Sequence, residues 1–370
     1  MPDHILTPAE LFQQRGQPPR LLDVRSEIEF MKGRLPCSVN LPILTTAERA
    51  LVGTAYVHQG RDAATSIGHD LVSGSRKQGL IAAWTVYVSN EKAQALFCWR
   101  GGLRSKISQE WLKGEGIHLP RIAGGYKAAR RYLREESARA LAHLPLVVIG
   151  GRTGSGKTHF LLRPDIQSWS LDLEGSANHR GSSFGGILGD QPSQASFENA
   201  VAFDVLRERP SPGLIVEAES RRIGRLNIPD EIFARMQSAP IVILERPQSE
   251  RVQLIFRDYV ADPLARFEAA DPGRGAKHLR AFLLSSIHKI EQHLGGELST
   301  RLSRLLLDAL PDGDGVTHAD RHHSWIETLL REYYDPLYDR HEARYEHRVL
   351  ARGSADEIAS AARDALHSTQ

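Results

Sequence analysis

The stretch Leu146-Val147-Val148-Ile149-Gly150-Gly151-Arg152-Thr153-Gly154-Ser155-Gly156-Lys157-Thr158 decides how this chain is read. Its four leading apolar residues are mostly β-branched and predict a buried strand. Gly151, Gly156, Lys157 and Thr158 then satisfy G-x-x-x-x-G-K-[ST], and a helix is expected from about Lys157. A loop of this kind wraps two linked phosphates in backbone N–H groups. Its lysine reaches their oxygens, and its threonine can hold Mg²⁺. Gly151, Gly154, Ser155, Gly156, Lys157 and Thr158 are therefore the expected phosphate-binding residues.

Downstream, Leu214-Ile215-Val216 and Ile241-Val242-Ile243-Leu244 read as two further buried parallel strands. An acid at the end of a neighbouring strand would complete a metal site. Glu217, Glu219 and Asp172 are the candidates, each equally able to serve as an arginine's ion-pair partner. Between Asp172 and Gly185 the chain is rich in glycine and small polar residues with no regular period, which reads as a loop closing over a ligand. Within it, His179 and Arg180 are candidates for phosphate binding or proton transfer.

Upstream lies a second anion cradle, Phe97-Cys98-Trp99-Arg100-Gly101-Gly102-Leu103-Arg104-Ser105. Ala93 to Phe97 predicts a strand that delivers Cys98 at its C-terminal end, and Ser105 to Gly114 predicts the following helix. A free thiol has a pKa of about 8.5 and is a poor nucleophile at neutral pH. Glycine-loop amides, a helix N-terminus and the charges of Arg100 and Arg104 would all favour its thiolate, with Ser105 as the helix cap. The spacing from Cys98 to Arg104 serves two chemistries, chalcogen transfer and phosphate-ester hydrolysis. The bland alternative is a buried structural cysteine. A chain with both cradles is expected to carry a chalcogen or acyl-like group on cysteine and to handle a pyrophosphate-bearing molecule.

Other elements complete the outline. Leu21-Leu22-Asp23-Val24-Arg25 is a strand ending in charge, Glu27 to Met31 a short helix, and Ser38 to Pro42 extended chain. Helical stretches are expected from about Thr45 to Gln59, Ala63 to Trp84 and Lys127 to His143, and beyond Ser249 to the end. Strands alternating with helices imply parallel sheets covered on both faces. His318, His322 and His323 have helix spacing and read as a solvated face. Tyr333, Tyr334, Tyr338 and Tyr345 read equally as core or as base-stacking residues.

Composition bounds the class. The chain has 370 residues, is 41% hydrophobic and carries a formal net charge of +2, too weak by itself to imply nucleic-acid binding. Its basic residues are bunched, however: Arg121, Lys127, Arg130, Arg131 and Arg134; Arg221, Arg222 and Arg225; Arg340, Arg344 and Arg348. Each bunch reads either as a solvated face or as a phosphate-backbone track. Only Cys37 and Cys98 are present, which fits a reducing, cytoplasmic setting rather than a disulfide scaffold. No apolar run approaches a membrane span and no secretory leader is visible.

The segments Leu21–Phe30 and Gly33–Pro42 and the position of Cys98 resemble the rhodanese family, in which the cysteine carries a sulfane sulfur. That favours chalcogen transfer over phosphatase chemistry. The combination with the phosphate loop resembles the bacterial tRNA 2-selenouridine synthase family. Further residues carry the resemblance: Gly53-Thr54-Ala55-Tyr56 through Gly60 and Gly68 to Leu71-Val72, Ala123-Gly124-Gly125-Tyr126-Lys127, Asp172 to Gly185, Glu217-Ala218-Glu219-Ser220-Arg221-Arg222-Ile223-Gly224, and Tyr333-Tyr334-Asp335-Pro336-Leu337-Tyr338.

The resemblance implies a two-step reaction on the wobble 2-thiouridine of certain tRNAs. The sulfur is geranylated by geranyl diphosphate, and the S-geranyl group is then replaced by selenium from selenophosphate. By the same resemblance, Cys98 would carry the selenium and Arg100 and Arg104 would neutralise the incoming anion. Mg²⁺ is a candidate ion and a selenium-delivery protein a candidate partner. The expected organisation is a rhodanese-like α/β domain over 1–137, a linker over 138–145, a P-loop NTPase-like α/β domain over 146–300 and a helical region over 301–370. The alternatives are a sulfurtransferase driven by an ATP- or GTP-hydrolysing loop, and an RNA-binding module with a degenerate loop.

Overall fold

The computed structural model describes residues 4–12, 18–207, 213–310 and 319–368. The chain divides into two compact units, one of Met1–Ala142 with Pro192–Glu208, the other of His143–Gln191 with Arg209–Gln370.

The first unit is built on five short parallel strands: β1 (Ile5–Leu6), β2 (Leu21–Asp23), β3 (Ser38–Asn40), β4 (Ala95–Phe97) and β5 (Arg121–Ile122), ordered β1-β5-β4-β2-β3. Central strands β2 and β4 are buried throughout, as continuous apolar runs in a sheet covered on both faces should be. Leu22, Leu96 and Trp84 pack on one side; Leu21, Phe97, Tyr126 and Leu133 pack on the other. Both β2 and β4 end where the chemistry begins, at Asp23 and just before Cys98.

The second unit carries β6 (Leu146–Gly150), β7 (Ser170–Leu171), β8 (Leu214–Glu217), a small hairpin of β9 (Arg222–Ile223) and β10 (Leu226–Asn227), β11 (Ile241–Leu244) and β12 (Val349–Gly353). Its main sheet is parallel, ordered β12-β11-β6-β8-β7, so β6 and its phosphate loop lie at the centre. A separate helical core gathers Val252, Leu279, Leu302, Trp325 and their neighbours.

Four sequence expectations are corrected. The expected linker over 138–145 is mostly helix, since Gly125–His143 is continuous. Residues 192–208, assigned above to the P-loop domain, belong to the first unit. There the helix Gln194–Leu206 packs Ala202 and Phe203 against Leu11, Leu21 and Leu133. The region 301–370 is not wholly helical. It supplies the edge strand β12 and the helix Ala355–His367, whose Ile358, Ala362 and Leu366 pack on Val147, Ile149 and Ile215. The helix expected over Ala63 to Trp84 is two, Arg61–Leu71 and Gly74–Glu91. Among the described residues no helix is long and apolar enough to cross a membrane.

Two candidate anion sites

The first site is the Cys98 loop. It runs from β4 into the helix Leu103–Gly114, so its amides lie at that helix's N-terminus. The N-terminus of the helix Gly125–His143 closes on it as well: Tyr126 and Lys127 N–H groups donate to the Cys98 and Trp99 carbonyls (2.9 and 3.1 Å). Gly125 makes this approach feasible. With φ at 58°, a side chain there would be strained, and its Cβ would fall 2.3 Å from the Cys98 carbonyl oxygen and 2.4 Å from Gly101 N.

The Cys98 thiol donates to Ser105 Oγ (3.2 Å), and the Ser105 hydroxyl donates to the Gly102 carbonyl (3.0 Å). Ser105 therefore holds the sulfur rather than capping the helix, whose N-cap is Gly102. Cys98 is only 2% exposed, so the sulfur sits beneath its loop and not at an open mouth.

The cations around the sulfur differ from one another. Arg104 is held by Glu29 at 2.5 and 3.0 Å and lies close enough to Cys98 to interact with it electrostatically. Burial raises the Glu29 carboxyl, but Arg104 and the Ser26 hydrogen bonds outweigh it and bring the value down to about 2. Arg100 is exposed. Beneath the loop, Arg25 and Asp23 form a fully buried pair at 2.6–3.0 Å. The Arg25 guanidinium lies 4.0 Å from the centroid of the Tyr126 ring, which stacks on the partly exposed Trp99. Asp23 and Arg25 were legible as a strand end, whereas Glu29 was not singled out. Cys37, the other thiol, is exposed at φ 55°.

The second site is the phosphate loop. Gly151, Gly154 and Gly156 take φ values of 143°, 80° and 91°. At Gly154, besides the strained φ, a Cβ would fall 2.8 Å from Ile255 Cδ1. Two arginines brace the loop from behind: Arg246 Nε donates to the Ser155 carbonyl and Arg251 Nε to the Thr153 carbonyl, both at 2.9 Å. Arg251 is itself fixed by Asp335 at 2.5 and 3.0 Å, and Arg152 pairs with Asp339. The Thr153 and Ser155 carbonyls are thus tied away by the two arginines, while the Ser155 N–H turns back to the Arg152 carbonyl (3.0 Å).

Lys157 Nζ donates to the Gly151 carbonyl (2.8 Å) and lies 5.6 Å from the Tyr338 ring centroid. Burial pulls its pKa down, but Tyr338, Glu174, Glu219 and Glu217 more than compensate and hold it charged. Thr158 Oγ1 donates to Glu174 Oε2 (3.1 Å), and Gly181 N–H donates to Glu174 Oε1 (2.6 Å). Glu217, at the end of β8, accepts from Glu174 N–H (2.8 Å) through Oε1, while its buried Oε2 has no partner. Burial raises both Glu217 and Glu219 well above the usual carboxylate range. The negative charges of Asp172 and Glu174 add to this for Glu217, and Glu174 for Glu219.

The candidate acids separate by geometry. Asp172 caps the helix Leu173–Ala177 through Gly175 N–H (2.7 Å) and lies close enough to Glu217 for its charge to raise that carboxyl. Glu217 lies beside Thr158's partner, and Glu219 lies against Glu174. Glu174, which is not among the expected acids, is the hub, meeting Thr158 Oγ1, Gly181 N–H and Glu219. Among the described residues no group of three or more His, Cys, Asp or Glu side chains forms a metal cage. One hydroxyl, nearby carboxylates and the unpartnered Glu217 Oε2 instead suit Mg²⁺, which usually takes one or two carboxylates with phosphate and water.

His179 is half-buried, with its pKa lowered chiefly by burial and its Nδ1 unpartnered. Arg180 donates to the Asp258 carbonyl (2.8 Å) and lies over the Tyr259 ring. His322 corrects the solvated-face expectation. It is fully buried, accepts from Trp325 Nε1 at 2.9 Å, and burial lowers its pKa to about 4. His318 lies outside the described residues.

A central parallel strand opening into a glycine-rich phosphate loop, with a strand-end carboxylate on its neighbour, defines the second unit as a P-loop α/β domain. Similarity to known proteins then gives the family. The model described as "tRNA 2-selenouridine synthase AAA domain" matches residues 144–369. The tRNA 2-selenouridine synthase of Marinobacter nauticus is 42% identical over 93% of this chain and 94% of its own length. That of Bordetella bronchiseptica is 44% identical over 91% and 92%, and that of Pseudomonas fluorescens 45% over 86% and 87%. The chain belongs to the tRNA 2-selenouridine synthase family. Among solved structures, the N-terminal domain of a protein titled as ATP/GTP binding, from Clostridium difficile 630, matches 35% of this chain and 98% of its own at 26% identity. Its TM-score of 0.32 is too low to bear on the fold.

Proposed function

We propose that this protein converts wobble 2-thiouridine in tRNA to 2-selenouridine through an S-geranylated intermediate. The observation that carries the reading is a half-buried lysine hydrogen-bonded into an intact phosphate loop, in the same chain as a cysteine held between two helix N-termini.

In the first step the thiocarbonyl sulfur attacks C1 of geranyl diphosphate. The S–C bond forms as the C–O bond breaks, diphosphate leaves with the electron pair, and the uridine N3 proton is lost. The loop's amides and Lys157 receive the charge that grows on the leaving group, which stabilises the transition state more than the ground state. Thr158, Glu174 and Glu217 are the residues that would hold Mg²⁺, and the ion would supply further charge neutralisation on the diphosphate. In the second step selenium enters at the selenide level: water cleaves the P–Se bond of selenophosphate to give phosphate, HSe⁻ adds at C2, and the C2–S bond breaks as geranylthiol leaves. Cys98 is the proposed selenium carrier, its loop holding that selenide as it comes from selenophosphate directly or through a delivery protein. Because the sulfur is buried, loading requires the Trp99–Gly102 loop to part, and exposed Arg100 is the cation available to an arriving anion. Lys127, Arg131 and Arg134 are exposed at i, i+4 and i+7 of one helix and offer a row of cations to a tRNA backbone.

The test is mass analysis of nucleosides from 2-thiouridine-containing tRNA incubated with the full chain, geranyl diphosphate and selenophosphate. Sequential appearance of S-geranyl-2-thiouridine and 2-selenouridine is expected. Unchanged 2-thiouridine together with brisk ATP turnover would replace this reading with the nucleotide-driven sulfurtransferase.

A further inference from the structure

The ring of Trp99, next in the chain to Cys98, forms a braced shelf. One face rests on Tyr126, at 5.3 Å between centroids and 23° between planes. Tyr126 is 3% exposed and Trp99 38%, so the other indole face meets solvent. Beneath Tyr126 lies the Arg25 guanidinium, 4.0 Å from the ring centroid. Arg25 is fixed by Asp23 and donates to the Gly33 carbonyl (2.7 Å), while Asn199 Nδ2 donates to the Tyr126 hydroxyl (3.3 Å). The Trp99 carbonyl accepts from Lys127 N–H (3.1 Å). Ring and backbone are thus both held from the protein side.

We propose that the open face of Trp99 stacks the wobble base of the tRNA, which makes Trp99 a positioning residue for the selenium step. The assignment rests on the function proposed above and adds which side chain holds the target base beside the cysteine.

The chemistry of the substrate asks for such a shelf. The wobble base belongs to a single-stranded loop, and an unpaired base can be splayed out and stacked on an aromatic ring. Stacking grips the face of a pyrimidine and leaves its edge, with C2 and the group on C2, unobstructed. It therefore holds the base equally well before and after the substituent on C2 is exchanged. A ring that is already braced loses little freedom when the base arrives. Adjacent residues are about 3.8 Å apart along the backbone, so a base on Trp99 lies at the rim of the Cys98 loop, where orientation lowers the barrier to addition.

The surroundings favour a nucleic acid over a protein partner. Trp99 and Leu103 are the exposed large apolar side chains among the described residues of this loop, and Arg100 and Gly102 are exposed between them. A flat ring with a cation and bare backbone beside it is not the continuous apolar patch that marks a protein interface. The helix that supplies Tyr126 continues with exposed Lys127, Arg131 and Arg134. Cations suited to a sugar–phosphate chain therefore begin one residue from the ring beneath the shelf. An aromatic platform joined to a basic track is the general arrangement for holding unpaired strands.

Equilibrium binding of the full-length chain to two tRNAs tests this, one with S-geranyl-2-thiouridine at the wobble position and one abasic there. The wild type is expected to favour the base by about five- to hundredfold, the range of one base–aromatic stack. Trp99→Leu is expected to abolish that preference and Trp99→Phe to keep most of it. Arg131→Gln should weaken both tRNAs alike and leave the ratio intact. If Trp99→Leu keeps the wild-type ratio, or the wild type does not distinguish the two tRNAs, the stacking role is overturned while the proposed function stands. Should Trp99→Leu fail to fold, the wild type alone decides. With 5-iodouridine at the wobble position, irradiation of the complex is expected to join the base to Trp99, and an adduct mapped to another residue overturns the role. A wild type that binds neither tRNA sinks the proposed function as well.

Discussion

The two anion cradles sit at matching places, each just past the C-terminal end of a central parallel strand, yet they are finished in opposite ways. At Cys98 the charges are mostly paired internally: Arg25 on Asp23, with one buried Nη1 left over, Arg104 on Glu29, and the sulfur on Ser105 under a closed loop. At Lys157 the charges are left in excess. Its ammonium rests on one backbone carbonyl, and Glu217 retains a buried oxygen without a partner. The first cradle is a stable resting state that has to be opened. The second is held ready for a cation-bearing anion by braces on its outer side, Arg246 and Arg251.

The largest effects should come from crossing the two sites. Lys157→Ala is expected to slow geranylation by about a hundred- to thousandfold, the scale of losing one transition-state donor, while selenation of pre-geranylated tRNA continues. Cys98→Ala should do the reverse and accumulate S-geranyl-2-thiouridine. Nucleoside mass spectrometry reads both, and a Cys98→Ala enzyme that still makes 2-selenouridine removes the carrier role. Next in size is Asp23→Ala, which leaves Arg25 buried and unpaired. A loss of about 3–5 kcal/mol in denaturant unfolding is expected, and a loss below 1 kcal/mol would show that the pair is not what holds the first cradle shut.

Glu29 gives a pH test of the same closure. Its folded value of about 2 lies below the usual 4.5. The Arg104 pair therefore contributes stability that is fully present above about pH 4.5 and is lost as pH falls toward 2. Wild type should lose stability across that window more steeply than Glu29→Gln, measured by thermal unfolding at stepped pH. Parallel curves would mean that folding leaves the Glu29 pKa unshifted and that the Arg104 pair adds no stability. The smallest effect belongs to Asp172→Ala. The loss of a helix cap should cost about 1 kcal/mol and leave both tRNA products in place. A collapse of geranylation in this variant would return Asp172 to the phosphate site.

What could be read in the sequence follows from distance along the chain. The phosphate loop and the Cys98 loop are local patterns, and their strands are continuous apolar runs, so both were legible. The Glu29–Arg104 pair joins residues 75 apart, and no spacing rule reaches that far. Strand β12 alternates half-buried and exposed positions at the sheet edge and lacks the run that marked β6, β8 and β11. Asp172 and Glu174, two residues apart, look equally acidic in the sequence; only the fold shows that Asp172 caps a helix and Glu174 meets Thr158. His322 sat among polar neighbours, and its burial depends on Trp325, one turn onward.

The helix Gln194–Leu206 carries a last consequence. Its Ala202 and Phe203 finish a core begun by Leu11 and Leu21, so the first unit is not a contiguous piece of chain. A ribosome must release the peptide as far as Leu206 before the N-terminal sheet receives its final cover. Expression of a fragment cut at Ala142 would leave those apolar side chains wet, and such a fragment should precipitate or demand a chaperone.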